Sequence, residues 1–273
     1  TEVLMKNIGS LMHGVSLHYY TVKGWNGSKG SATVFTEQEY YNTLAKAVGV
    51  EPVIIRHIGI MDQYDPEKKV DLLLDEWGTW FDVEPGTNPG HLFQQNTMRD
   101  AMVAALSLNI FHKYTERLKM ANIAQIANVL QSMVLTQGDK MVLTPTYHTF
   151  RMYNVHQDAT YLPLDLKCER EIVRDDRIVP MVSATASRDA NGVIHISLSN
   201  VHLTESQEID INLDNFKVKS VTGEILTTKN IADYNSFENP NVVAPKAFNG
   251  AKINKGALKV TLPAKSIVVL EVK

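Results

Sequence analysis

The run Val70-Asp71-Leu72-Leu73-Leu74-Asp75-Glu76-Trp77-Gly78-Thr79-Trp80 constrains this chain more than any other stretch. Its front half is almost unbroken apolar sequence behind Lys68 and Lys69, which suits a strand covered on both faces in a parallel sheet. The run then stops at charge. By the two-residue period of a strand, Val70, Leu72, Leu74 and Glu76 share one side, which places the carboxylate in line with three core positions at the tip. Side chains at the C-terminal ends of buried parallel strands carry the chemistry of α/β barrels. On pattern alone, an acidic residue closing a strand at the solvent edge is the commoner case.

The segments before and after this run give it a parallel α/β setting. Val15 to Tyr20 reads as a strand with Ser16, His18 and Tyr20 on one side, so that His18 and Tyr20 face the same space. A lone strand His is more often a satisfied structural group, but His-x-Tyr at a strand end offers two polar groups suited to a carboxylate or a polar ligand. A Gly- and Ser-rich loop, Lys23 to Ser31, leads to Thr36-Glu37-Gln38-Glu39, a capping box, with Tyr40, Tyr41, Leu44, Ala45 and Val48 at helical spacing. Ile54 to Tyr64 reads as a second helix of the crossover into the Glu76 strand. After it, Asp82 to Gly90 is a polar loop of the kind that walls a site. Thr97 to Tyr114 predicts a helix apolar on most sides, Arg117 to Asn122 a strand, and Ile123, Ile126, Ala127, Leu130 and Val134 a further helix with Gln125 near its start. Thr144-Pro145 caps a helix over Thr146 to His156. Strand and helix thus alternate up to about Gln157.

Beyond Tyr161-Leu162-Pro163 the segments become short, alternating and separated by turn residues. They are Met181 to Ser187, Val193 to Asn200, Glu208 to Leu213, Lys217 to Val221, Ala257 to Leu262 and Ser266 to Val272, with Asn191-Gly192 as a hairpin signal. Roughly a hundred residues of this kind predict a β-sandwich. His195 and His202 are read as isolated, structural groups on strand faces.

Composition excludes several classes. A net charge of −3 gives no electrostatic case for nucleic acid or an anionic membrane, and no apolar run approaches membrane-spanning length. The single cysteine, Cys168, allows no internal disulfide and leaves the redox compartment open. Metal-ligand clusters, phosphate-cradling glycine loops and internal repeats are missing from the sequence, so no metal and no cofactor is expected. Thr1 stands where an initiator Met would, with no basic or apolar leader after it; a piece of a longer protein is expected, soluble, from the cytoplasm, the periplasm or outside the cell.

The run Leu74 to Gly90, with Gln94-Gln95-Asn96-Thr97-Met98-Arg99-Asp100-Ala101 after it, closely resembles the α-L-arabinofuranosidases of glycoside hydrolase family 51. So do Ser16 to Tyr20, Met120 to Gln125 and Leu143 to His148. The similarity covers nearly all of the first 160 residues in order. It implies a partial (β/α)8 TIM barrel, strands 6 to 8 with their helices, over residues 1–160, followed by a jelly-roll-like β-sandwich over 161–273. It also implies a retaining glycosidase. Matched position by position, Glu76 is the catalytic nucleophile, His18 and Tyr20 are sugar-site residues on the sixth strand, and Gln125 contacts sugar after the eighth. Trp80 and Phe81 are candidates for an apolar wall, with Trp80 taken as substrate-binding; both also serve as plain packing residues.

One departure from the family pattern matters. A retaining mechanism needs a second carboxyl as acid and then base, roughly 5 Å from the nucleophile. In the family it lies in an Asn-Glu pair on the fourth strand, and this sequence has no Asn-Glu dipeptide. The expectation is therefore that the acid/base belongs to a missing N-terminal part of the same protein and that the chain alone is inactive. Asp62, Asp65, Asp75, Asp82 and Glu84 match no family acid/base. Truncation also predicts an open sheet edge, with the Leu72–Leu74 strand and the Thr97 helix uncovered. The implied substrate is an arabinan or arabinoxylan side chain, and the implied assembly a homo-oligomer. Two alternatives stay open: a retaining glycosidase of the same clan acting on xylan or another glycan, and a non-catalytic carbohydrate-binding or assembly fragment. The lack of Trp after residue 160 weakens the second.

Overall fold

The computed structural model describes residues 1–168, 171–174, 177–214, 216–254 and 256–273. In chain order come α1 (Glu2–Ile8), β1 (Gly14–Thr21), α2 (Glu37–Val48), α3 (Val50–Tyr64), β2 (Asp71–Thr79), α4 (Met98–His112) and β3 (Leu118–Ile123). The hairpin β4 (Val134–Gln137) and β5 (Lys140–Leu143) and then α5 (Pro145–Tyr153) follow. Strands β1, β2 and β3 form a three-stranded parallel sheet in that order. Helix α2 starts where the capping box predicts: Thr36 Oγ1 accepts from the Glu39 amide at 3.2 Å, and the Glu39 carboxylate accepts from the Thr36 amide at 2.9 Å. The Thr97–Asp100 pair opens α4 in the same way.

The remaining strands are β6 (Thr160–Tyr161), β7 (Glu171–Arg174), β8 (Arg177–Pro180), β9 (Val182–Arg188), β10 (Ile194–Asn200), β11 (Gln207–Ile211) and β12 (Val221–Thr227). The last four are β13 (Lys246–Ala247), β14 (Ala251–Asn254), β15 (Ala257–Leu262) and β16 (Ser266–Val272). Apart from β7 and β8, which pair only with each other, they build a six-stranded antiparallel sheet, β13-β12-β16-β10-β9-β6, facing a three-stranded one, β11-β15-β14. Ile194, Ile196, Leu198, Val268 and Leu270 of the first meet Leu258, Val260 and Leu262 of the second in one apolar layer, a sandwich arrangement. The Asn191-Gly192 hairpin forms as predicted, with Gly192 at φ 82°.

Helix α4 joins the halves. Ala104, Ile110 and Phe111 pack with Leu72, Leu74 and Trp77 of the parallel sheet. Met98, Met102 and Leu106 pack with α2, α5 and residues of β12 and β16. The expected exposure of the Leu72–Leu74 strand and of the Thr97 helix is therefore corrected: Leu72, Leu74 and Met102 are fully buried, since the sandwich covers the far side of α4. The exposed apolar side chains near the sheet are instead Val3, Leu4, Ile8 and Leu11, on α1 and the turn after it, and Met120 on β3. Among the described residues β1 and β3 each pair on one edge only, which matches the open edge expected.

Three further expectations change. The segment after Ile123 is not a helix: it runs through bends, with Asn128 and Leu130 at φ 59° and 51°, into the β4–β5 hairpin. Ile126 is 77% exposed, so the helical spacing there never marked a buried face. The strand predicted over Lys217 to Val221 lies later, as β12, and residues 217–220 lead into it. His202 sits in a turn where its Nδ1 accepts from the Thr204 and Glu205 amides, and His195 on β10 lies 3.6 Å from Asp189, so neither is isolated.

At the seam between the halves two histidines are buried neutral. His156 meets the hydroxyls of Ser187 and Ser197, each at 2.7 Å, and His112 meets that of Thr185 at 3.2 Å. Burial pushes His112 down to about 4, and burial reinforced by His112 and His195 pushes His156 down to about 3. Folded-state values below the unfolded one mean that the unfolded chain binds more protons between them. Stability thus falls as pH drops below about 6.5. Urea unfolding at pH 5 should show a loss on the order of 2 kcal/mol per histidine relative to pH 7. In His156→Gln the pH dependence should shrink by about half.

Candidate active site

Glu76 owes its place to an irregularity in β2. Leu17 pairs with Leu74, but the next residue of β1, His18, pairs with Glu76, and on the other edge Leu74 and Trp77 flank the shift against Ala121 and Ile123. Asp75 is thus an extra residue, a bulge. The strict two-residue line from Leu72 and Leu74 to Glu76 is corrected by it: Trp77, not Glu76, joins Leu72 and Leu74 in the core under the helices. Glu76 turns to the opposite, open face, the face of Ser16, His18 and Tyr20.

There Tyr20 donates its hydroxyl to Glu76 Oε2 at 2.7 Å, and His18 Nδ1 lies 3.4 Å from the same oxygen. Among the described residues nothing bonds Glu76 Oε1, and the side chain is 42% exposed. Burial, and then the bond to Glu76, raise the Tyr20 phenol above its usual range, so it stays a proton donor. His18 reaches a second acid as well, with Nε2 3.0 Å from Asp75 Oδ1, and Ser16 Oγ holds Asp75 at 2.8 Å. The imidazole therefore lies between two carboxylates side by side on one strand. The tip of this group is aromatic: Trp80 stands edge-on to Tyr20 at 5.0 Å and to Trp25 at 5.7 Å. Together they form an apolar rim beside a hydrogen-bonded carboxylate, a combination suited to a sugar ring with an apolar face and hydroxyl edges.

Of the residues expected at the site, Glu76, His18, Tyr20 and Trp80 come together. Gln125 lies two residues past the Trp77–Ile123 pairing, next to the end of β2, with its side chain exposed. No hydrogen bond links it to Glu76, His18 or Tyr20 among the described residues. Phe81 is no wall of the site: it is buried and stacks on the Arg99 guanidinium at 3.8 Å. The sequence offers Asp75 only as a candidate acid/base; strict alternation already puts it opposite Leu72 and Leu74, and what alternation could not show is that Glu76 joins it on the open face. Trp25 gave one signal, a lone large aromatic within a Gly- and Ser-rich loop. Four of the alternative acids are committed elsewhere: Asp62 and Asp65 bind Arg117, Asp82 holds the Ser28–Gly30 turn, and Glu84 accepts the Gln95 amide. Among the described residues no group of three His, Cys, Asp or Glu could hold a metal ion, and no helix is long and apolar enough to cross a membrane.

Residues 75–266 match the family model described as the α-L-arabinofuranosidase C-terminal domain. The chain belongs to the family 51 α-L-arabinofuranosidases, as their C-terminal part. Over all of its length it is 65% identical to an intracellular exo-α-L-arabinofuranosidase of Bacteroides ovatus, and covers 53% of that protein. A crystal structure of a family 51 arabinofuranosidase from Xanthomonas axonopodis pv. citri superposes on the whole chain with a TM-score of 0.96 at 46% identity, with 55% of that chain covered. The Thermotoga maritima α-L-arabinofuranosidase in its arabinose complex shares the fold, with a TM-score of 0.81 at 20% identity over 99% of this chain and 55% of that one. This family member thus spans about half the length of the relatives it matches.

The rim depends on Asp82, whose carboxylate accepts from the Ser28 hydroxyl and from the Lys29 and Gly30 amides, the latter two at 2.9 and 3.2 Å, while its own amide bonds Gly30. Burial would raise this carboxyl, but the three donors outweigh it and hold it below the usual range. Asp82→Ala should free the loop that carries Trp25. Hydrogen exchange at the Lys29 and Gly30 amides is expected to speed up roughly tenfold, the equivalent of about 1.4 kcal/mol, with little change in the melting temperature.

Proposed function

We propose that the protein containing this chain is a retaining, exo-acting α-L-arabinofuranosidase with Glu76 as its nucleophile, acting on terminal arabinofuranosyl residues of an arabinose-containing oligo- or polysaccharide. The observation that carries the reading is the state of the Glu76 carboxylate: Oε2 is held by Tyr20 and His18, while Oε1 is unbonded among the described residues and open to a ligand. Oε1 forms a bond to the anomeric carbon as the glycosidic oxygen leaves with a proton from a second carboxyl group. Water, deprotonated by that same group, then breaks the glycosyl–Glu76 ester. Tyr20 and His18 keep the attacking carboxylate oriented. Gln125, with an amide that both donates and accepts, serves sugar hydroxyls, and Trp80 faces the apolar side of the ring.

The reading includes the architecture: β1 to β3 are strands 6 to 8 of a (β/α)8 barrel over residues 1–160, and 161–273 are a jelly-roll-like sandwich. The acid/base lies in the part of the relatives that this chain does not cover. Support comes from the acids here, of which four are tied into other contacts and the fifth, Asp75, is held by Ser16 and His18. The Bacteroides ovatus relative's name favours action inside the cell, and assembly as a homo-oligomer belongs to the same proposal.

The test is hydrolysis of 4-nitrophenyl α-L-arabinofuranoside by the chain alone and by the protein with the matching N-terminal half. The chain alone should be inactive. In the longer protein Glu76→Gln should cut kcat by roughly 10³-fold or more. Azide should rescue Glu76→Ala and give the glycosyl azide of inverted configuration. Robust turnover by the chain alone, or activity in the Glu76 variants without azide, would overturn the assignment.

A further inference from the structure

Behind the Glu76 face, where β1 and β2 run out, lies a cavity of about 260 Å³ whose wall includes Thr21, Lys23, Lys29, Glu39, Phe81 and Arg99. Arg99 is 1% exposed. Its guanidinium is clamped face-on between the rings of Phe35 and Phe81, 3.8 Å from each, and one terminal nitrogen donates to the Ser31 and Ala32 carbonyls at 3.2 and 3.0 Å. Its Nε has no partner among the described residues. A buried cation ordinarily has a carboxylate bonded to it. Here the acids that act on Arg99, Asp100 and Glu39, do so through space, because each is engaged in the capping box of its own helix with Thr97 or Thr36. Burial pushes the guanidinium down to about 10, the direction of a charge short of compensation. Lys23, Lys29 and Lys46 bring three more cations to the wall, and Glu39 is the one acid on it among the described residues.

We propose that this cavity binds a small oxyanion, a phosphate or a carboxylate group, which supplies the counter-charge that Arg99 lacks. The space is several times the roughly 30 Å³ of a water molecule and takes an anion with a small molecule attached. The anion accepts from the ammonium groups of Lys23 and Lys29 in charge-assisted bonds and offsets the charge of the buried guanidinium through space. Occupancy has a structural consequence at the active face. Lys29 lies 5.8 Å over the Trp80 ring, and Thr21 and Phe81 directly follow Tyr20 and Trp80 in the chain, so the occupant braces the loop that carries Trp25. None of this depends on glycoside hydrolysis, and its test reads binding alone.

The chain is titrated with sodium phosphate and, separately, with sodium glucuronate, each against sodium chloride at matched ionic strength, following backbone amide signals of residues 23–35 and tryptophan fluorescence. A saturable shift at the Gly30 and Ser31 amides with a millimolar Kd is expected for at least one of the two anions. Saturation by phosphate alone assigns a phosphorylated ligand, and saturation by glucuronate assigns a carboxylate. Binding should be at least tenfold weaker in Lys23→Ala/Lys29→Ala, whose amide spectrum elsewhere should match that of the unaltered chain. If that variant does not fold, Lys23→Gln gives the same reading with a smaller loss. Failure of both anions to saturate by about 50 mM, or unchanged affinity in the lysine variants, overturns the proposal.

Discussion

Everything at the candidate site follows from one extra residue in β2. A strand covered by helices on one side must send every second side chain into that cover, and Leu72 and Leu74 do so. If the period ran on unbroken, Glu76 would follow them into the apolar layer, where an ionised carboxylate without a partner costs several kcal/mol. The bulge at Asp75 moves the period by one, so that Trp77 takes the buried place, meeting Phe111 edge-on and stacking with Phe150. Glu76 then stands on the wet side of the sheet within reach of Tyr20 and His18. Asp75, which the period already sends to that side, meets Ser16 and His18, so the irregularity leaves two sequence neighbours on one face as two acids flanking one imidazole.

A site of this kind needs a floor that does not move, and α4 supplies it. The helix is buried along most of its length because one side meets β2 and the other meets α2, α5 and the antiparallel sheet. Several of its polar residues find partners distant in sequence. Asp100 accepts from Thr79 at 2.5 Å, Gln131 spans the Asp100 carbonyl and the Thr79 amide, and Asn109 reaches Ser183 at 3.0 Å. Thr79 lies three residues beyond Glu76, so the end of β2 is tied to the helix start by hydrogen bonds that buried polar groups must make.

The site itself is graded from rigid to adjustable. Glu76, Tyr20 and His18 are on strands and fixed by pairing. Trp25 and Lys29 are on a loop that depends on Asp82 and on the carbonyls held by Arg99. Binding groups on strands with a hydrogen-bonded loop over them are a common division between chemistry and recognition.

Local order was readable from the residues because local chemistry sets it. The Thr36 capping box, the Thr144-Pro145 helix start and the Asn191-Gly192 turn depend on atoms within a few residues of one another, and all three formed as read. The pairing of His18 with Tyr20 on one face followed from the strand period alone. What failed depended on partners far away. The apolar spacing from Ile123 to Val134 imitated a helix, but its backbone groups bond Trp77, Leu92 and each other instead, and Ile126 faces water. The fate of Phe81 and Arg99 was settled only when Phe35 closed on them from another segment. Most of all, which way Glu76 points was a tertiary decision. Only β1 and β3 together, each paired to β2 with the same displaced register, fix where the additional residue goes and hence which side of the sheet receives the charge.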